Sequence, residues 1–332
     1  MSVASPPRAR VFSGMRPTGQ LHMGHLLGAL GNWVRLQDEY DCVYCVVDLH
    51  ALTTGYMDVR EIHRNGLEMV ADWVAAGVDP ERSIVFRQSD VPQHSELAML
   101  LGMITPLSWL ERVPTYKGQI EALGDHLQTF GFLGYPLLQT ADIILYKATR
   151  VPVGQDQLPH IELAREVVRR FNHLYGDVFP EPEALLTEAP LVLGPDNRKM
   201  SKSYGNAITF AMSDEEIDRA VMSMITDPQR VRRSDPGRPE VCNVYSWHRL
   251  LGAPEDELQE IYAGCTSAAL GCVDDKRALA ARVRDVIRPI RERRERLMAD
   301  PDRLERILAE GAERARAIAA PVMAEATHAM GL

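Results

Sequence analysis

Cys42-Val43-Tyr44-Cys45-Val46-Val47 is an unbroken apolar run, rich in β-branched and aromatic residues. Such a run fits a strand buried on both faces, as in a parallel sheet. The flanking segments alternate in type. Upstream, Arg10 to Ser13 reads as a short strand ending at Gly14, and Arg16-Pro17-Thr18-Gly19 reads as a turn. Leu26, Leu27, Leu30, Trp33, Val34 and Leu36 then recur at helical spacing, giving a helix from about His25 to Glu39. Downstream, residues 60–76 carry Leu67, Val70, Trp73 and Val74 on one helical face, and Ser83 to Phe86 is a third strand. Strand, helix, strand, helix, strand implies a parallel sheet with right-handed crossovers. The pattern continues with a helix at Pro136 to Tyr146, a strand at Val151 to Val153 and a helix over 157–175. From Asp214 onward the periodicity is helical only, over 214–225, 243–251, 255–263, 275–298 and 302–329. A composition shift near 205–213 suggests an α/β domain over 1–205 and an all-helical one over 206–332, whose last helix is free to pack back on the first.

The composition agrees with a globular protein. Of 332 residues, 45% are hydrophobic and 25% charged. The net charge of −9 argues against wholesale adhesion to nucleic acid or anionic membrane, though not against a local basic face. No apolar run is long enough to span a bilayer, so no membrane association is expected. Met1 to Arg10 lacks an apolar signal-peptide core and reads as a frayed tail. Five cysteines, an odd and low count, argue against a disulfide framework and for a reducing, cytoplasmic compartment.

Two segments carry chemistry. Pro17-Thr18-Gly19-Gln20-Leu21-His22-Met23-Gly24-His25 lies between the first strand and the first helix. In a doubly wound sheet, ligands bind at the carboxyl ends of strands. Gly24 lets a nucleotide approach the backbone, and His22 and His25, three apart, share one face and can donate to phosphate. Alone, two exposed histidines in a turn explain this segment equally well. The second segment, Lys199-Met200-Ser201-Lys202-Ser203, follows the loop former Gly194-Pro195-Asp196-Asn197. Two of the chain's five lysines sit here, as flexible point charges able to fold over a polyphosphate. Taken alone, it is also a common solvated basic loop.

In this order, about 175 residues apart on an α/β chain, the two segments resemble the HIGH and KMSKS signatures of class I aminoacyl-tRNA synthetases, with Met23 in place of the usual Ile. Further segments resemble the bacterial tryptophanyl branch of that family: Phe12-Ser13-Gly14, Val47-Asp48-Leu49-His50-Ala51-Leu52-Thr53, Tyr135-Pro136-Leu137-Leu138-Gln139-Thr140-Ala141-Asp142-Ile143, Val151-Pro152-Val153-Gly154-Gln155-Asp156-Gln157 and His160-Ile161-Glu162-Leu163. The resemblance covers Arg10 to Leu332. It implies a Rossmann-like catalytic domain and a helical domain contacting the tRNA anticodon. It further implies a cytoplasmic homodimer that uses ATP with Mg2+, L-tryptophan and tRNA(Trp).

By the same resemblance His22, His25, Lys199 and Lys202 are catalytic. The ATP set is Arg16, Pro17, Thr18, Gly24, His25, Gly154, Gln155, Asp156, Leu191, Lys199, Met200, Ser201, Lys202 and Ser203. Tyr135, Gln139, Asp142 and Gln157 would hold tryptophan, and Phe12, His50, Val151 and Val153 would wall the indole slot. An indole offers a donor only, and Asp142 is the family's acceptor for it. Tyr135, Gln139 and Asp142 are spaced to share a helix face. Arg16 and Gln139 depart from the residues many relatives carry, Gln and Met. The Tyr135, Gln139, Asp142 spacing also resembles tyrosyl-tRNA synthetases, so tyrosine specificity is the nearest rival. A non-catalytic paralogue that binds tryptophan or RNA, and a shorter adenylyltransferase sharing the H-x-G-H signature, are the others.

Eight arginines between Arg277 and Arg296 form either a phosphate-tracking face for tRNA or a solvated, ion-paired helix. Cys42 and Cys45 lie on opposite faces of a strand and read as core. Cys242, Cys265 and Cys272, spaced by 22 and 6 residues, resemble the ligand spacing of a [4Fe–4S] cluster in a subset of these enzymes, with Asp275 in the fourth place. Gly264 and Gly271 suggest loops presenting the sulfurs, and buried thiols are the plain alternative.

Overall fold

The computed structural model describes residues 8–114, 124–186 and 191–332, so the tail reading for Met1 to Pro7, and Lys117, lie outside the described residues. Five strands form one wholly parallel sheet: β1 (Arg10–Met15), β2 (Asp41–Val46), β3 (Ile84–Arg87), β4 (Arg150–Val153) and β5 (Glu183–Leu186), in the order β3-β2-β1-β4-β5. The order reverses between β1 and β4, which defines the topological switch point of a doubly wound fold. The Cys42 to Val47 run is β2 with both faces buried, and Cys42 and Cys45 are core residues as the pattern requires. In β5, Glu-Ala-Leu-Leu carries no β-branched residue, so only its pairing with β4 reveals it.

The helices are α1 (Met23–His25), α2 (Gly31–Leu36), α3 (Asp48–Gly55), α4 (Ile62–Ala76), α5 (Gln93–Ile104), α6 (Leu107–Glu111), α7 (Phe130–Ile144), α8 (Leu158–Tyr175), α9 (Asp214–Met222), α10 (Asn243–Leu250), α11 (Glu255–Thr266), α12 (Cys272–Met298) and α13 (Pro301–Ala329). Between α1 and α2 the chain widens into a π turn over Leu26–Leu30, with Gly28 at φ −101 and ψ −114. The regular helix expected there is therefore interrupted at a residue whose missing Cβ permits the kink.

Two compact units emerge. One holds the described parts of Met1–Gly19, Asn32–Glu188 and Asp300–Leu332; the other holds those of Gln20–Gly31 and Ala189–Ala299. A composition shift cannot show such a division, because it follows contacts between distant segments.

In the first unit, Phe12, Val43, Phe86, Ile143, Val151 and Val167 pack both faces of the sheet into one core. Strand β3 is an edge, and α13 lies against it: Arg314 Nη1 donates to the carbonyls of Pro80 (2.7 Å) and Ser83 (3.1 Å), and Arg316 Nη1 to that of Asp90 (2.6 Å). A helix so placed covers an edge that would otherwise be open to pairing. In the second unit, Met23, Met200, Ile208, Val221, Trp247, Leu279 and Ile287 form a separate core.

Of the eight α12 arginines, Arg282 pairs with Glu257, Arg284 with Asp218, Arg288 and Arg291 with Asp214, and Arg277 with Asp274. Four of these bonds fasten α12 to α9 and α11, so the ion-paired reading of the cluster accounts for most of it.

Candidate active site

The second unit brings the two motif segments together. Met23 N donates to Ile208 O (3.0 Å) and Phe210 N to Leu21 O (3.3 Å), while His22 bridges to Thr209 and Leu193 to Lys199. Met23 and Met200 share one core. His22 caps α1: its Nδ1 accepts from Gly24 N (3.1 Å), and His25 Nδ1 accepts from His22 N (3.2 Å). With both Nδ1 atoms acting as acceptors, the ring protons sit on Nε2, and each ring presents a donor. Burial, the neighbouring His25 and Lys202 hold His22 down to about 3; burial and Lys202 hold His25 down to about 4. These groups repel one another's positive charge, a preorganised setting for an anion. Gly24 has a role the sequence did not suggest: a Cβ there would lie 3.0 Å from the His22 ring and disturb the cap.

The lysine loop hangs on Asn206. Its Oδ1 accepts from Ser201 N (2.8 Å), and its Nδ2 donates to Asp196 Oδ1 (2.7 Å) and Lys199 O (3.3 Å). Asn243 Nδ2 donates to Gly194 O (2.9 Å) and Trp247 Nε1 to Leu193 O (3.0 Å), pinning the start of the loop. Lys199, Ser203 and Leu191 are exposed, whereas Met200 is buried and anchors the loop.

The first unit holds the remaining site residues. Arg16 to Thr18 follow β1, and Gly154 to Gln157 follow β4, so both sets flank the switch point. Arg16 donates to Thr54 Oγ1, and Gln157 Nε2 to Asp156 Oδ2 (2.9 Å). A side chain at Gly154 would strike Asp156 Oδ1 at 2.7 Å. On α7, Asp142 is buried, while Tyr135 and Gln139 are half-buried. Tyr135 meets His160 Nε2 (3.3 Å) and packs edge-on to His50. Phe12, Val151 and Val153 are buried.

Asp142 is surrounded by donors. Oδ2 accepts from His50 Nε2 (2.8 Å); Oδ1 accepts from Gln88 Nε2 (2.7 Å) and His94 Nδ1 (2.7 Å). Burial opposes the charge, but the two histidines outweigh it and the carboxyl falls to about 2. Gln88 and His94 escaped the sequence analysis because no spacing ties them to Asp142; Asn206 closely follows the lysine motif, but only the fold shows that the loop hangs on it.

The three remaining thiols and Asp275 come together. Cys242, Cys265, Cys272 and Asp275 line one cavity. Arg230 also lines this cavity: Nη1 lies 3.6 Å from Cys265 Sγ, and Nη2 donates to Leu270 O (2.8 Å) and Arg233 O (3.1 Å). Burial raises the Cys242 and Cys265 thiols. Cys265 lies in the last turns of α11, not in a loop. Among the described residues, no three His, Cys, Asp or Glu side chains are placed to share a metal ion.

Comparison with known proteins places these observations in context. Residues 5–288 match the family model described as tRNA synthetases class I (W and Y). The chain is 50% identical to the tryptophan–tRNA ligase of Thermotoga maritima, covering 97% of this chain and 99% of that one. It is 44% identical to the enzyme of that name from Aquifex aeolicus, over 97% and 100%. The crystal structure of the Campylobacter jejuni tryptophanyl-tRNA synthetase complexed with ADP and tryptophan superposes with a TM-score of 0.90 at 32% identity, covering 97% and 100%.

Proposed function

From the premise that the chain belongs to the class I tRNA synthetases of the tryptophan and tyrosine family, we propose how its residues divide the work of tryptophan–tRNA ligation. The activity is that of a tryptophan-specific aminoacyl-tRNA synthetase using ATP. The tyrosine-specific and non-catalytic readings give way to it.

The tryptophan carboxylate attacks the α-phosphorus of ATP in line, and pyrophosphate leaves with the Mg2+ that ATP carried in. The terminal ribose hydroxyl of the tRNA then attacks the aminoacyl carbonyl, and AMP leaves. Little covalent work falls to the protein, so positioning and charge stabilisation dominate. The Nε2–H groups of His22 and His25 and the ammonium groups of Lys199 and Lys202 meet phosphate oxygens. Arg16 to Thr18, Gly24, Gly154 to Asp156, Leu191 and the rest of the lysine loop, Met200, Ser201 and Ser203, contact the nucleotide. Asp142 accepts the indole N–H, Tyr135, Gln139 and Gln157 hold the amino acid, and Phe12, His50, Val151 and Val153 wall the slot. Helices after residue 205 contact the tRNA anticodon. An iron–sulfur cluster on Cys242, Cys265, Cys272 and Asp275 is part of the reading; what supports it is that these four residues line one cavity.

A homodimer is part of the reading. What supports it is an exposed apolar face in the first unit, where Met99, Met103, Leu107 and Phe130 border a cavity of about 820 Å3. A cytoplasmic location accords with five free cysteines. Among the described residues no helix is long and apolar enough to cross a membrane.

The observation that carries the phosphate assignment is the convergence of His22, His25 and Lys202, where burial and Lys202 oppose a proton on both histidines. The test is Lys202→Ala. The adenylation rate in single turnover is expected to fall about 100-fold or more, with ATP binding changed far less, because the contact matures in the transition state. An equal loss in ATP affinity and rate would refute the assignment.

A further inference from the structure

The donors around Asp142 decide more than its ionisation. A carboxylate offers about four lone-pair positions. Gln88 and His94 fill two on Oδ1 and His50 fills one on Oδ2, so among the described residues one position on Oδ2 stays open. His94 is wholly buried and bridges two groups: its Nδ1 faces Asp142 and its Nε2 lies 2.7 Å from the Tyr146 hydroxyl. Burial raises the Tyr146 phenol well above its ordinary value, so it stays protonated and acts as a donor. The pattern assigns one direction to the chain: Tyr146 O–H to His94 Nε2, then His94 Nδ1–H to Asp142 Oδ1. Tyr146 is in turn fixed by stacking on Phe12 (5.6 Å between centroids) and by the edge of Phe86 (5.7 Å). Gln88 is set by the end of β3, where Asp48 Oδ1 accepts from the adjacent Ser89 N (3.0 Å).

We infer that His94, held by Tyr146 and assisted by Gln88, is a positioning residue for amino-acid selection: it locks Asp142 with its one open lone pair on Oδ2 and spends the surrounding N–H donors on the carboxylate. An indole, which only donates, satisfies that lone pair completely. A phenol also donates, but its own oxygen then needs a donor, and His50 Nε2–H, His94 Nδ1–H and one of the two Gln88 N–H groups are already committed to Asp142. Rejection of tyrosine thus follows from unmet lone pairs on the wrong substrate, as in any site built around a specific hydrogen-bonding inventory. The inference rests on Asp142 as the indole acceptor and adds the residues that make it selective.

The test compares Asp142→Ala, His94→Leu, His94→Asn and Tyr146→Phe in ATP–pyrophosphate exchange with tryptophan and tyrosine, beside ATP binding by calorimetry. For His94→Leu the tryptophan KM is expected to rise about tenfold, the tryptophan-to-tyrosine ratio of kcat/KM to fall by a similar factor, and ATP binding to be unchanged. Tyr146→Phe keeps the aromatic packing and is expected to shift the same ratio in the same direction by a smaller factor. It decides the matter should His94→Leu not fold. His94→Asn, which retains a donor to Oδ1, is expected to restore part of the ratio.

The acid limb of kcat/KM for tryptophan should also move to higher pH in His94→Leu. One of the donors holding the carboxylate down is lost, while His50, Tyr146 and the buried Cys45 of β2 remain around it. Unchanged KM, ratio and acid limb in both His94→Leu and Tyr146→Phe, with Asp142→Ala losing tryptophan, would overturn this inference alone. Asp142→Ala binding tryptophan normally would overturn the reading beneath it.

Discussion

Gly311→Ala sets two effects of opposite sign against each other. Gly311 lies inside α13, where alanine is intrinsically the better residue by about 0.8–1.0 kcal/mol. Helix propensity alone therefore predicts stabilisation. The packing predicts the reverse. A Cβ at 311 would stand 1.8 Å from the Val85 carbonyl oxygen and 2.6 Å from its carbon, in the middle of edge strand β3. Restoring ordinary contact at 3.4 Å requires helix and strand to part by about 1.6 Å. The neighbouring residues Leu308, Ala312, Ala315 and Ala319 are fully packed and cannot follow without opening voids. Overpacking of this kind costs about 1–3 kcal/mol and sometimes more. It outweighs the propensity gain, and the Arg314 and Arg316 bonds to strand-end carbonyls are stretched as well. The midpoint of thermal unfolding should drop by about 2–4 °C per kcal/mol lost. Urea unfolding followed by the fluorescence of Trp33 and Trp73, both buried in the same unit, reads the change. The tryptophan KM should rise too, because β3 ends beside Gln88, which holds Asp142. A variant as stable as the parent, or more so, would refute the close-approach argument.

Asp142→Ala should weaken tryptophan binding about tenfold or more while sparing ATP, and calorimetric titration with each ligand checks it. His22 and His25 titrate lower when folded (about 3 and about 4) than when unfolded (6.5). Between those values the unfolded chain takes up protons the folded one refuses. Stability from this pair is therefore full above pH 6.5 and declines as pH falls toward 4. The double variant His22→Asn, His25→Asn should flatten that decline in urea midpoints measured from pH 7 to 4. Protein purified without oxygen should carry about four irons and matching sulfide per chain, held by the residues that line the thiol cavity; iron-free, colourless protein that still charges tRNA fully would contradict this.

The alternation of elements was legible because β2 is apolar without interruption and the helices carry clear periodicity. The strand β5 was not, since Glu183 to Leu186 owes its conformation to β4 rather than to its own residues. The helices α5 and α6, between β3 and α7, were passed over. The two phosphate-facing segments were legible as pieces, but their joining through residues 21–23 and 208–210 is a tertiary fact. Asp142 could be singled out only by resemblance, for a lone carboxylate on a helix looks solvated. Gln88, His94 and Tyr146, which give it meaning, lie on three different segments. The cysteine spacing did pick out residues that line one cavity, but that Arg230 shares the cavity was not legible, since it lies outside the spaced set.

The central claim is amino-acid activation specific for tryptophan. Exchange of labelled pyrophosphate into ATP, measured with the purified chain and Mg2+, tests it most directly. Rapid exchange is expected with L-tryptophan, and only background exchange with L-tyrosine or with no amino acid. Exchange that is equal with tyrosine, or absent with tryptophan, would contradict the account.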